Sequence, residues 1–208
     1  ITSFLTKKRA DGIIGKAAHF IAMSQVCVSD DILHTLCNAV KLCQYEDVMK
    51  DLVKIYIYRL RPTHQQFNQV FTRLPIKDES YNDLYTQLAY SLHTTGSSAT
   101  DVFENCRAAV SLAEFGGLNK RCLFDSYVAY AVALKKVLDS QNVDKQFLDL
   151  KIWQNLYDFL LKPPVAHNRD SIVDTCRALL KLCQAYLEKG LRPDSEFEAK
   201  FINFLRYC

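Results

Sequence analysis

One phrase recurs along this chain. Cys37-Asn38-Ala39-Val40-Lys41-Leu42, Cys106-Arg107-Ala108-Ala109-Val110-Ser111-Leu112 and Cys176-Arg177-Ala178-Leu179-Leu180-Lys181-Leu182 are variants of it, and their closing leucines are spaced seventy positions apart each time. Two units of about thirty-five residues fit each interval, which is the period of stacked helical-hairpin repeats. The spacing predicts an all-α chain, an α-solenoid of roughly five stacked helical hairpins.

Composition supports that class. Six glycines and five prolines in 208 residues are few for a sheet protein that needs many tight turns, whereas long stretches without either suit helices. The longest apolar run, Leu52 to Tyr58, is interrupted by Lys54 and falls short of the roughly 20 residues that a membrane span needs. No membrane insertion is expected. A net charge of +3 leaves neither a basic tail nor an acidic arm, so phosphate binding is permitted without being demanded.

The eight cysteines sit among apolar helix positions. Cys37 with Cys43, and Cys176 with Cys183, are about two helical turns apart, so each pair is expected on a buried stripe as reduced core thiols. No Cys-x-x-Cys occurs, and His34-x-x-Cys37 alone makes no metal site. Neither metal nor other cofactor is expected. The first ten residues hold Lys7, Lys8 and Arg9 and no acid, which resembles what a mitochondrial import sequence leaves near its cleavage point.

Residues 1–28 are expected to form an N-terminal segment with a capping helix from about Gly15 to Val26, and residues 29–208 the repeat array. Leu33, Leu36, Val40 and Cys43 make the first stripe; Val48, Leu52, Ile55 and Tyr56 make its partner, ended by Arg61-Pro62. Thr63-x-x-Gln66 is a capping box ahead of Phe67, Val70, Phe71 and Leu74. Tyr81, Leu84, Tyr85, Leu88 and Leu92 face the core from the next helix. Asp101-x-x-Glu104 is expected to open a helix using Phe103, Cys106, Val110 and Ala113, closed by a left-handed cap at Gly116-Gly117. Leu123, Tyr127, Tyr130, Leu134 and Leu138 follow. Residues 139–150 are irregular, so the first helix of the fourth unit is expected to be short, and its second helix uses Trp153, Leu156, Tyr157, Leu160 and Leu161. The last pair uses Ile172, Cys176, Leu179, Cys183 and Leu187, then, after a box at Ser195-x-x-Glu198, Phe197, Phe201, Phe204 and Leu205.

Catalytic patterns are missing. Gly12-x-x-Gly15-Lys16 is too short for a phosphate loop and has Ala17 where a hydroxyl would hold magnesium. His19, His34, His64, His93 and His167 lie in different units with no recurrent acid or nucleophile beside them. Asp30-Asp31, Glu46-Asp47 and Asp78-Glu79 fall at expected helix starts, where negative charge suits the exposed amides. Lys120-Arg121, Lys135-Lys136, and Arg59 with Arg61 are candidate phosphate contacts.

Gln44-Tyr45-Glu46-Asp47-Val48 resembles the inter-helix turn of the pentatricopeptide family and its relatives, the octotricopeptide and RAP-associated organellar repeats. Leu60-Arg61-Pro62-Thr63-His64-Gln65-Gln66-Phe67-Asn68 resembles the junction between two such repeats, and Glu188-Lys189-Gly190-Leu191-Arg192-Pro193-Asp194 resembles a second one. The resemblance implies single-stranded RNA binding in organelles, with Asn68 as a base-selecting side chain and Thr63 at the closing position of the preceding unit. The corresponding slots elsewhere hold Leu33 and Ala199, which are apolar. The expectation is therefore a non-catalytic subunit of a mitochondrial RNA–protein assembly, a mitochondrial ribosome or an RNA-processing complex. It would contact neighbouring proteins, and single-stranded or ribosomal RNA through Thr63, Asn68, Lys120 and Arg121. No small-molecule substrate is expected. The alternative is a purely protein-binding scaffold with no nucleic acid.

Overall fold

A computed structural model describes residues 46–70, 79–140, 145–162, 169–191 and 195–207, with the single positions Ile13, Ser29 and Asp31. The expected capping helix, the stripe from Leu33 to Cys43, and Phe71 and Leu74 lie outside these residues. Every described regular element is a helix.

Helix α1 (Glu46–Leu60) buries Val53, Tyr56 and Ile57, at the three- and four-residue spacing of one helical face. It stops where the sequence requires. Arg61 turns to φ +41°, its N–H still donating to the Ile57 carbonyl at 3.1 Å, and Pro62 has no N–H to continue. Helix α2 (His64–Val70) starts on the expected capping box: the Gln66 N–H donates to Thr63 Oγ1 at 3.2 Å, and the Thr63 N–H to Gln66 Oε1 at 2.9 Å. Phe67 is its buried anchor.

A 3₁₀ turn (Glu79–Tyr81) leads into α3 (Asn82–Leu92), whose Leu84, Tyr85, Leu88 and Leu92 are buried as the stripe requires. Helix α4 (Ala99–Phe115) begins one turn earlier than expected. Its cap is Ser98, which accepts from the Asp101 N–H while Asp101 accepts from the Ser98 N–H, so Asp101 closes the box instead of opening it. A serine with non-helical backbone angles leaves its hydroxyl free to reach the third amide; Asp101 is already helical. Gly117, at φ +61°, ends the helix in the left-handed turn foreseen, with the Leu118 N–H bonded to the Ala113 carbonyl at 3.1 Å.

Helix α5 (Lys120–Asp139) is capped by Asn119, whose side chain accepts from the Cys122 N–H at 2.8 Å. Next among the described residues come a 3₁₀ turn (Lys145–Leu148) with Phe147 and Leu148 buried, and then α6 (Leu150–Leu161), capped by Asp149. Helices α7 (Arg169–Glu188) and α8 (Ser195–Tyr207) complete the described elements.

Packing follows chain order. The main described helix pairs lie one or two helices apart: α1 on α3, α3 on α4 and α5, α4 on α5, α5 on α6, and α7 on both α5 and α6. Helix α8 reaches the core through Phe204, edge-on to Trp153 and Tyr157 of α6 with ring centres 6.4 Å apart. Helix α7 packs chiefly on α5 and α6.

Among the described residues the interior forms two apolar clusters. One gathers Val53, Phe67, Leu88 and Cys122 with Ala109, Leu112 and Ala113; the other is built around Trp153, Leu134 and Leu179 with Phe103, Cys106 and Val110. Two expected core positions are instead exposed, Leu161 at 52% and Leu187 at 71%. Leu161 is the last residue of α6. Leu187 lies eight positions after Leu179, about 80° around the helix from the buried stripe.

Candidate functional site

Pro62 frees the chain to start α2 at the side of α4, and this opens a groove of about 550 Å³. Thr63, His64 and Gln65 form one wall; Asp101, Glu104, Asn105 and Arg107 form the other. The two walls are joined at one residue. Asn105 accepts from the His64 backbone N–H at 3.1 Å and donates to the Thr95 carbonyl at 3.0 Å, so one buried amide ties α2, α4 and the loop between α3 and α4 together.

Of the four expected RNA-contacting residues, one lines this groove and a second bonds to a residue that does. Thr63 lines the groove, and Asn68, one turn further along, donates its amide to His64 Nε2 at 3.1 Å, for which the ring nitrogen is taken as unprotonated. Burial lowers the His64 pKa, which favours that neutral ring. Across the groove, the Ser97 hydroxyl, then the Ser98 side chain, hold the Asp101 carboxyl below its usual range. Arg107 pairs with Glu104 at 2.6 Å. Two carboxylates therefore face one already paired guanidinium, which is a poor surface for a phosphate chain.

Lys120 and Arg121 lie elsewhere. They open α5, beyond the C-terminal end of α4, whereas the groove flanks the N-terminal half of that roughly 25 Å helix. Arg121 bonds Asp125 at 3.1 Å and lies 5.9 Å from the Phe124 ring centre. Thr63 lines the groove, Asn68 bonds to His64 beside it, and Lys120 and Arg121 lie apart from both.

A second polar seam joins α3 to α5. His93 and Ser126 stand 3.0 Å apart, a nucleophile–base spacing, but Ser126 is completely buried and no substrate reaches its hydroxyl. Burial pushes the Cys106 thiol up to about 12 and the Cys183 thiol up to about 11, where the Trp153 indole N–H bond only partly offsets it. These are inert thiols at neutral pH. Among the described residues, no cluster of histidine, cysteine and carboxylate is placed to hold a metal, and no helix is long and apolar enough to cross a membrane.

Asn105 is the residue that sequence reasoning missed. It is four positions before Ala109 on an apolar face, and a lone amide on such a face is the signal that a buried backbone group needs a partner. No protein-family model matches the chain, and no curated protein or solved structure is significantly similar to it.

Proposed function

We propose that the chain is a non-catalytic α-solenoid scaffold of stacked helical hairpins that holds neighbouring proteins together in a larger assembly. A mitochondrial RNA–protein assembly is the setting that the repeat resemblance implies. The observation that supports the scaffold reading is that the main described helix pairs, α1 with α3, α3 with α4 and α5, α4 with α5, and α5 and α6 with α7, are one or two helices apart in the chain. Such an array exposes long ridges from a short chain, and ridges suit contact with several partners at once.

Protein contacts take the larger share in this reading. The groove beside Thr63 is bordered by Asp101 and Glu104, and Lys120 and Arg121 do not converge on it. RNA contact is the second reading, which the repeat resemblance through Thr63 and Asn68 implies; Thr63 lines the groove and Asn68 bonds to His64 on its wall.

Purification from the native source, followed by identification of what co-purifies, tests the scaffold. Stable co-purification of a defined set of proteins is expected, and recovery of the chain alone would overturn it. Titration with single-stranded RNA across a salt series separates the two readings. Phosphate-driven binding weakens steeply with salt and falls further in Lys120→Glu/Arg121→Glu, whereas no binding at low salt removes RNA.

A further inference from the structure

His93 closes α3 at the point where α3, α4 and α5 meet. Its ring is half-buried and lies edge-on to Tyr90, with ring centres 5.5 Å apart, and its Nε2 stands 3.0 Å from the Ser126 hydroxyl of α5. Its carbonyl accepts from the Cys106 thiol of α4 at 3.6 Å. One residue therefore ties the end of α3 to two other helices.

Two partners for the ring are adjacent on α5. Ser126 is completely buried, and the Cys122 thiol, which burial pushes up, also bonds to its hydroxyl. Asp125, one position earlier, is partly exposed; its carboxylate accepts from Tyr90 and Arg121 and lies close enough to favour a proton on His93. A buried hydroxyl suits a neutral ring, and a carboxylate at the rim suits a charged one.

Among the described residues, the other titratable or charged groups at this junction are Tyr90 on α3, Cys106 on α4, and Arg121 and Cys122 on α5. Burial, then the bond to Asp125, pushes the Tyr90 hydroxyl up to about 12; burial pushes the Cys106 thiol up to about 12, with Lys136 offsetting part of the rise. Arg121 is held by Asp125. His93 is thus the group at this junction whose charge changes in mild acid. Burial lowers its pKa from the ordinary 6.5, against the opposing pull of Asp125. The carbonyls at the end of α3 pull the same way as Asp125. A neutral ring kept so contributes stability above 6.5 that is lost as pH falls through the lowered value.

We propose that His93 is an acid-sensitive latch: neutral, it holds Ser126 and keeps the end of α3 on α5; protonated, it swings out to the Asp125 carboxylate and leaves the buried hydroxyl without the ring. The joint between α3 and α5 then loosens while the packing around α7 is unchanged. The latch is independent of the scaffold reading, because it concerns one junction within the chain.

Hydrogen exchange of the full chain, read by mass spectrometry peptide by peptide, is compared between wild type and His93→Gln at about pH 7.5 and about pH 5. At a given pH both proteins share nearly the same intrinsic exchange, so their ratio isolates the latch. Relative to the variant, the wild type is expected to exchange at least about threefold faster at the lower pH over Leu88–Thr94 and Cys122–Val128, with peptides of α7 unchanged. A ratio that stays flat or moves the other way overturns the proposal, and so does an equal change over α7, which is general unfolding. Peptide resolution also separates His93 from His64, whose pKa burial lowers as well. Asp125→Asn keeps an acceptor for Tyr90 but removes the charge, and the loosening should shrink; undiminished loosening refutes the swing. Should His93→Gln fail to fold, the His93 ring carbon followed by NMR against pH decides. A midpoint below 6.5, with the Asp125 carboxyl carbon moving in step, supports the latch; a midpoint at or above 6.5, or a motionless Asp125, refutes it.

Discussion

The Tyr90 hydroxyl on α3 donates to Asp125 Oδ2 on α5 across 3.1 Å, and the same oxygen accepts from Arg121 Nε at 3.1 Å. One carboxylate thus links two helices that run side by side, thirty-five positions apart in sequence. Tyr90→Phe should cost about 1 kcal/mol. Asp125→Ala in the Tyr90→Phe background should add less than it does alone, since the tyrosine bond is already gone. Urea unfolding of the four proteins of the double-mutant cycle measures the coupling, and simple additivity would show that the bond contributes nothing.

Asn105 satisfies the His64 N–H and the Thr95 carbonyl from a position only 5% exposed. Asn105→Leu leaves both groups buried without that partner and is expected to lower stability by about 2–3 kcal/mol. Asn105→Asp keeps the acceptor but loses the donor and is expected to be no better. Ser111→Ala, on the same groove, should change stability by less than about 0.5 kcal/mol.

Arg61 is the one described non-glycine residue with positive φ, at +41°, and it precedes Pro62. A side chain there costs about 1 kcal/mol because its Cβ crowds the following carbonyl. Arg61→Gly should therefore raise stability by about 0.5 kcal/mol, part of the gain being lost to the freer unfolded chain. Thermal unfolding of the two proteins decides it; a destabilised variant would mean that the arginine side chain contributes more than its backbone costs.

Alkaline pH should unfold the chain. Burial pushes the Tyr85 hydroxyl up to about 12, with Tyr81 adding to it, and burial likewise raises Tyr127 and Tyr130 and the Cys106 and Cys183 thiols. An acid whose folded pKa is raised contributes stability that is fully present below its unfolded value and is lost as pH climbs through the folded one. For these groups the window opens at about pH 9 and extends through about 12 and beyond. The urea midpoint should be level just below it and fall across it, and Tyr85→Phe should flatten the fall.

Much of the helical layout is legible from residue order alone. The Thr63–Gln66 box, the Arg61-Pro62 stop and the Gly117 turn are local chemistry, decided within four or five residues, and each stands where the spacing predicts it. The stripes through Leu84 to Leu92 and Phe103 to Ala113 are buried as their periodicity demands. Less legible is which helix each stripe meets. Leu187 and Leu161 continue their rows by residue type but not by angle, and whether α7 faces α6 or α8 depends on packing between distant segments. Serine and aspartate each serve equally well as caps, so Ser98 and Asp101 differ only in backbone angle, which residue identity does not disclose. Of the candidate site, Thr63 and Asn68 were findable because they are neighbours; the distance to Lys120 and Arg121 was not, because it is set by the length and direction of α4.

Helix α4 lends Phe103, Cys106 and Val110 to one apolar cluster and Ala109, Leu112 and Ala113 to the other. It is a party wall between two rooms. Severing the chain anywhere within it would unroof both sides at once, so neither half can be excised as a free-standing fragment with its boundary there. Evolutionary or engineered shortening has to begin at the outer helices and work inward.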